Sequence, residues 1–300
     1  MMIRTTQPGR LQAILALLEL HAQRRARSVL DGGYASVFRG RGTDFEDLRE
    51  YVPGDPVADI DWKATARAGR PLVRRYQAER KTNLLLVVST GRSMTALAPD
   101  GTTKAELALD VAGVFAALAV RHGDVVGAVF GDAAERCVIR PGGGRDHAEH
   151  VLRRLEDQAN RANSAISSVP AVLERAAEAR LPRGIVVLIA DDADLPATAE
   201  RSLSLLHARH QVMVAQIGDM AVGTDQAVNP YDVETGLEIP DEIWFDSDLR
   251  RAEARAGQTR AERIEHMFGS QGIARVSVNG RDDLVGALIR LFQRHRHGGT

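Results

Sequence analysis

Cysteine is almost missing from this 300-residue chain. Cys137 is the only one, so neither an intrachain disulfide nor a multi-cysteine metal site can form, which suits a reducing compartment. With apolar neighbours, Cys137 reads as a core position rather than a nucleophile. Long apolar runs are lacking too. The N-terminal MMIRTTQPGRLQAILALLEL is apolar over roughly ten residues, is interrupted by Glu19 and has no small-residue cleavage site, whereas a membrane span needs ~20. A soluble cytoplasmic protein is expected, attached to a membrane only through a partner. Excess charge of either sign is absent: 39 basic and 40 acidic residues leave a formal net charge of −1. That excludes a global pull toward nucleic acid or anionic lipid. Lysine is scarce within the basic set. Only Lys63, Lys81 and Lys104 occur, and the rest are arginines, a bias that fits a GC-rich genome better than phosphate recognition.

What is present is ordinary globular composition, 44% apolar and 26% charged, enough for one large α/β domain with an N-terminal extension. Leu11, Ile14, Leu15, Leu17, Leu18 and Ala22 recur at helical spacing. They predict an amphipathic helix over 10–29, with Arg24, Arg25 and Arg27 on its polar face and an end at Asp31-Gly32-Gly33. Residues 34–80 read as irregular: Pro53-Gly54-Asp55 is a turn, Asp59 or Asp61 caps a short helix through Arg67, and 71–77 is extended. From 81 onward strands and helices alternate. Strands are expected at 83–89, 125–130, 136–140, 184–190, 211–217 and 273–278, and helices at 103–121, 145–158, 168–180, 196–208, 247–268 and 281–295. Runs such as LLLVV and GIVVLI suit burial on both faces, so the alternation argues a mainly parallel sheet with helices on both faces. The chain divides into 1–80, an N-terminal helix and a collar, and 81–300, the α/β domain. Residues 218–246 are the one long loop-like stretch and a candidate interaction edge.

The segment GRGTDFEDLREYVPGDPVADIDWKATARAGRPLVRRYQAE at 40–79 leads into an apolar strand that ends in the hydroxyl-rich turn STGRSM at 89–94. Gly40, Gly42, Phe45, Leu48, Arg49, Tyr51, Pro53, Gly54, Asp55, Ile60, Asp61, Trp62, Ala66, Arg67 and Glu79 stand at spacings that resemble the bacterial family called domain of unknown function 58. The acidic VETGLEIPDEIWFDS at 233–247 extends the likeness toward the C-terminus. The resemblance implies a von Willebrand factor A-like domain, and it assigns no reaction and no cofactor. Its collar is expected to pack on the main sheet through Phe45, Leu48, Tyr51, Ile60 and Trp62, with Trp62 as a core anchor.

The resemblance also implies a place for a divalent ion at the C-terminal edge of the sheet. Such domains hold it with an Asp-x-Ser-x-Ser turn, a Thr from a second loop and an Asp from a third. Here the turn reads Ser89-Thr90-Gly91-Arg92-Ser93, the loop 141–145 offers no hydroxyl for the Thr, and Asp191 stands where the last acid belongs. Only Ser93 and Asp191 survive, and losing the first carboxylate disfavours Mg²⁺. No metal is expected. In its place Ser89 and Ser93 satisfy turn amides while Asp191 or Asp192 caps the next helix, or Asp191 pairs with Arg92 or Arg145. Ser89→Asp with Gly91→Ser is the change that would rebuild part of a metal site.

Other constellations are weaker. Asp44, Glu46, Asp47, Asp55, Asp59 and Asp61 form an acidic cluster suited to metal-assisted hydrolysis, but they lack a calcium-loop pattern and any histidine. Their structural reading makes Asp55 a turn former and Asp59 or Asp61 a cap, with Arg49 and Arg67 as counter-ions. His147 and His150 lack a third zinc ligand, and Gly142-Gly143-Gly144 lacks a phosphate-loop lysine. Arg24, Arg25, Arg27, Arg39 and Arg41 are the residues a nucleic-acid binder would use. The family resemblance implies a non-enzymatic adaptor or client-recruiting partner of a MoxR-type AAA ATPase as the expected function. Its docking surface is expected at loops 89–94, 141–145 and 191–195, with Arg92, Arg145 and Asp192 as anchors. A hydrolase acting through residues 44–61 and a nucleic-acid binder are the alternatives.

Overall fold

Two glycines inside a helix each cost roughly 1 kcal/mol, so Asp31-Gly32-Gly33 reads as a terminus in sequence. The computed structural model, which describes residues 9–14, 24–38, 47–55, 57, 60–75, 81–161, 165–191, 199–220 and 231–298, runs a helix straight through it. Helix α1 spans Arg24–Phe38. Tertiary packing overrides propensity here, because a Cβ on Gly33 would lie 2.9 Å from Phe292 Cδ2. The next residue, Tyr34, is fully buried. Its hydroxyl donates to Asp124 Oδ2 at 2.9 Å, its ring stacks on His122 at 5.0 Å, and Asp124 Oδ1 accepts from Thr82 N at 2.8 Å. Burial, and then the Asp124 carboxylate, push the Tyr34 phenol well above its ordinary range.

Residues 10–14 are helical as expected, and Glu149 accepts from the amides of Arg10 and Leu11 at their start. Ile14 drops its Cδ1 into the space a side chain on Gly113 would fill. Leu15, Leu17, Leu18 and Ala22 lie outside the described residues.

The region read as irregular holds a small ribbon. Strand β1 (Asp47–Glu50) pairs antiparallel with β2 (Leu72–Arg75), and helix α2 (Trp62–Ala68) lies between them in sequence. Asp61 caps α2 by accepting from Lys63 N and Ala64 N, and Gly69, at φ 67, closes it in the left-handed conformation that glycine adopts freely. Trp62 is 66% exposed and Leu48 38% exposed, which corrects the expectation of a core anchor. Tyr51 and Ile60 are half-buried, and Phe45 lies outside the described residues. Among the described residues, every hydrogen bond and ion pair of 47–75 is internal.

The α/β part follows the expected order. Strand β3 (Asn83–Ser89) leads through a 3-10 turn at Arg92–Thr95 to α3 (Lys104–Arg121). Strands β4 (Val125–Gly131) and β5 (Arg136–Gly143) precede α4 (Arg145–Ala159) and α5 (Val169–Glu178). Then come β6 (Ile185–Asp191), α6 (Ala199–His207), β7 (Gln211–Ile217), the short α7 (Asp241–Trp244), α8 (Ser247–Ser270), β8 (Ala274–Val278) and α9 (Arg281–Gly298). The sheet order is β5-β4-β3-β6-β7-β8, parallel except for β5. It is the von Willebrand factor A-like arrangement. Period-two alternation sends Leu84, Leu86 and Val88 to a face covered by α3, α4 and α9, and Leu85 and Val87 to a face covered by α5, α6 and α8. Leu11, Ile14, Leu30, Tyr34 and Val37 belong to the first of these cores. The N-terminal helices are therefore built into the α/β domain, whereas Val73, the buried residue of the ribbon, belongs to neither core.

Candidate functional site

Strands β3, β4, β6 and β7 end side by side at one edge, with Ser89 opposite Gly131 and Asp191 opposite Ile217. Parallel packing makes this the edge where α/β sheets collect binding loops. Thr90 N is tied to Gly131 O and Arg92 N to Ala165 O, each at 2.9 Å, so the turn after β3 is bonded to the segment before α5. Asp132, just past β4, steadies that segment by accepting from Ala165 N at 3.1 Å.

The hydroxyl the sequence reading missed comes from that segment. Ser167 Oγ accepts from Ser93 N at 2.9 Å and from Ser93 Oγ at 2.7 Å, all buried. Loop 141–145 does not supply this position because β5 is antiparallel: Gly142 pairs with Val126 and Gly143 with Val125 at the start of β4. Arg145 therefore opens α4, exposed, at the opposite edge from Ser89 and Asp191. The expected three-loop surface does not form. Gly142 is pressed against the His147 ring, whose Nε2 meets Val126 O at 3.0 Å, so this glycine serves packing.

Gly91 is crowded by the same neighbour. A Cβ there would sit 2.4 Å from Ser167 Cα, which leaves no space for a ligating serine side chain. Ser89 and Thr90 are buried, yet neither hydroxyl has a hydrogen-bond partner, so Ser89 does not satisfy a turn amide as expected.

The cation facing Asp191 is a lysine, not either arginine named from sequence. Lys104, held at the start of α3 by its Thr103 cap and a 2.9 Å bond from its own amide to Ala96 O, is 2% exposed. Its Nζ lies 3.1 Å from Asp191 Oδ2 and also pairs with Asp219, two residues past β7. Burial pulls the ammonium's pKa down, but Asp191 and then Asp219 outweigh it, and the net direction is upward. These residues do not fit a divalent ion. The carboxylates are neutralised by an internal ammonium, and the turn lacks both the first acid and the room for the first serine.

Arg92 is at this edge but committed inward: its Nη1 donates to Glu234 O at 2.7 Å. Ser167 N reaches Glu234 Oε1 at 3.4 Å, so the segment around 234 straps across the turn. Asp192 lies outside the described residues. Of the family positions, Gly54 (φ 113) forms its turn, Asp55 accepts from Val52 N at 2.9 Å, and Arg67 is exposed in the last turn of α2. Arg49 pairs with Val73 in the ribbon. Among the described residues, no three His, Cys, Asp or Glu side chains gather in a metal-holding group.

Lys104 carries a sequence signal. That signal is weak: Lys104 is one of three lysines in an arginine-rich chain, and Lys63, another of them, is exposed. Ser167, Asp219 and Glu234 carry none.

The fold is a mainly parallel α/β sheet with an acid, an ammonium and paired hydroxyls at its C-terminal edge. The chain belongs to the family described as protein of unknown function DUF58, which matches residues 47–263. It is 26% identical over 295 residues to the uncharacterized proteins Rv1480 of Mycobacterium tuberculosis and Mb1516 of Mycobacterium bovis, covering 96% of this chain and 91% of each relative. Among solved structures, an aerotolerance-related membrane protein from Bacteroides fragilis is similar at 15% identity, over 71% of this chain and 98% of that one, with a TM-score of 0.42. A von Willebrand factor type A protein from Catenulispora acidiphila is similar at 12% identity, over 74% and 43%, also with a TM-score of 0.42. No described helix is long and apolar enough to cross a membrane.

Proposed function

We propose that the protein is a non-enzymatic interaction module in the cytoplasm, an adaptor or client-recruiting partner of a MoxR-type AAA ATPase. The supporting observation is the Lys104 ammonium between Asp191 and Asp219. With that position filled by the chain's own side chain, recognition falls to surface shape and charge rather than to an ion shared with a ligand. The acids once considered for hydrolysis support the same reading where they are described: Asp55 and Asp61 accept from backbone amides as turn and cap.

The test is capture of a purified MoxR-type ATPase from the same genome on the immobilised protein, with an ATP analogue, with ADP and without nucleotide. Preferential capture in one nucleotide state is expected. Equal background in all three states, or turnover of a phosphoester or peptide panel by the protein alone, rules the reading out.

A further inference from the structure

Trp62 is the largest exposed apolar side chain of the ribbon, and its setting is built rather than loose. The inner side of α2 is pinned: Thr65 Oγ1 accepts from Leu72 N at 3.0 Å, Asp61 N donates to Leu72 O at 2.9 Å, and Ile60 bridges Val73. With that side held on the ribbon, positions 62, 63, 66 and 67 share the outward side by helical spacing. All four are exposed. On the turn before α2, Val52 is 56% and Val57 62% exposed.

Lys63 and Arg67 bring two positive charges to the outward side of α2, while the carboxylates of Asp61 and Asp55 accept from backbone amides at the cap and the turn and Glu50 pairs with Arg70. Lys63 and Arg67 have no acidic partner among the described residues. An exposed indole beside two cations that have no acidic partner among the described residues has the makeup of an interaction hot spot, since tryptophan and arginine lead such sites. The complementary ligand is acidic with apolar residues between the acids. A chain of net charge −1 has no global pull toward nucleic acid or anionic lipid, which leaves an acidic protein segment as the occupant.

We propose that the α2 face of Trp62, Lys63 and Arg67 docks an acidic, apolar-containing peptide segment of a partner protein. This rests on the interaction-module reading and names its recognition surface. The full chain is used to select from a library of random displayed peptides, with counter-selection on Trp62→Ser. Enriched peptides are expected to carry Asp or Glu around one or two apolar residues. A synthetic copy should bind about tenfold more weakly to Trp62→Ser and to the Lys63→Glu/Arg67→Glu double variant. Both variants should keep the wild-type melting temperature, because the altered side chains are exposed; if Trp62→Ser unfolds, the charge variant alone decides. Enrichment of neutral or basic peptides, or of none, overturns the proposal. Equal binding to the variants does so too, as does Trp62-dependent binding of phosphatidylserine vesicles or single-stranded DNA in place of peptide. The selection contains no ATPase, so failure of nucleotide-dependent capture and failure of this surface are read separately.

Discussion

Lys104 shows how one side chain changes what an edge can do. Asp191 is 1% exposed and would be intolerable as a lone charge, whereas Asp219, with its side chain 41% exposed, keeps access to water. Removing the ammonium with Lys104→Met should therefore destabilise the domain by about 3–5 kcal/mol, the usual cost of breaking a buried ion pair by deleting one partner. Adding Asp191→Asn should recover much of it. Urea unfolding of the four proteins of the cycle measures this, and additive losses would contradict the pairing. Gly91 makes the complementary point about space. Gly91→Ser pushes a side chain into Ser167 and should cost about 1–3 kcal/mol. The Ser89→Asp/Gly91→Ser variant should show no rise in melting temperature with millimolar Mg²⁺; a rise abolished by Asp191→Ala would sink this account.

At the scale of elements, α6, β7 and α9 meet around histidines that sequence gave no reason to single out. His295, on α9, is half-buried, with Nε2 3.3 Å from Gln211 Oε1 at the start of β7. Burial, and then His207, hold its pKa below the ordinary 6.5. His210 is also lowered, by burial and then by Arg209 and Arg183. Both imidazoles are thus neutral in the folded state at a pH where the unfolded chain already takes up protons. Stability should be level above about pH 6.5 and fall as the pH drops below it, flattening once the folded-state pKa values are passed. Melting temperatures from about pH 8 to about pH 5.5 test this, and His295→Gln should shallow the decline. A decline of unchanged slope in that variant would remove His295 from the explanation. The same scale shows why the Gly32-Gly33 reading failed. Local propensity places a helix end there, but the close approach of Phe292 to Gly33 is a contact across about 260 residues of sequence, which no local window contains.

Across the whole molecule, the described residues divide by burial. The sheet, its covering helices and the helices at 10–14 and 24–38 share two cores, while the described residues of the 47–75 ribbon contribute to neither and bury Val73. A two-stranded ribbon of this size is marginal by itself. Hydrogen exchange should find the amides of Tyr51, Asp61 and Leu72, all hydrogen-bonded in the ribbon, opening orders of magnitude faster than those of Leu86, Val187 and Val214 in the central strands. Equal protection would mean that the ribbon folds with the domain as one unit, and would return Trp62 to a structural role.

By itself the sequence determined the alternating strands and helices from 81 onward, nearly residue for residue, because period-two and period-3.6 burial are local patterns written in the order of apolar residues. It likewise determined the Asp61 cap, the turn at Pro53-Gly54-Asp55 and the loss of two ligands from the β3 turn, each a matter of residue type at a fixed spacing. Only the tertiary structure decided the rest. The antiparallel sense of β5 sent Arg145 to the far edge and let Ser167 replace the loop expected beside Ser93. The crossing of α3 over β6 and β7 chose Lys104, rather than an arginine, to face Asp191. The direction of α2 on its ribbon turned Trp62 outward. Each of these depends on which strand lies next to which and in what sense, and pairing between distant segments is set by the global packing of the chain, not by any stretch of it read alone.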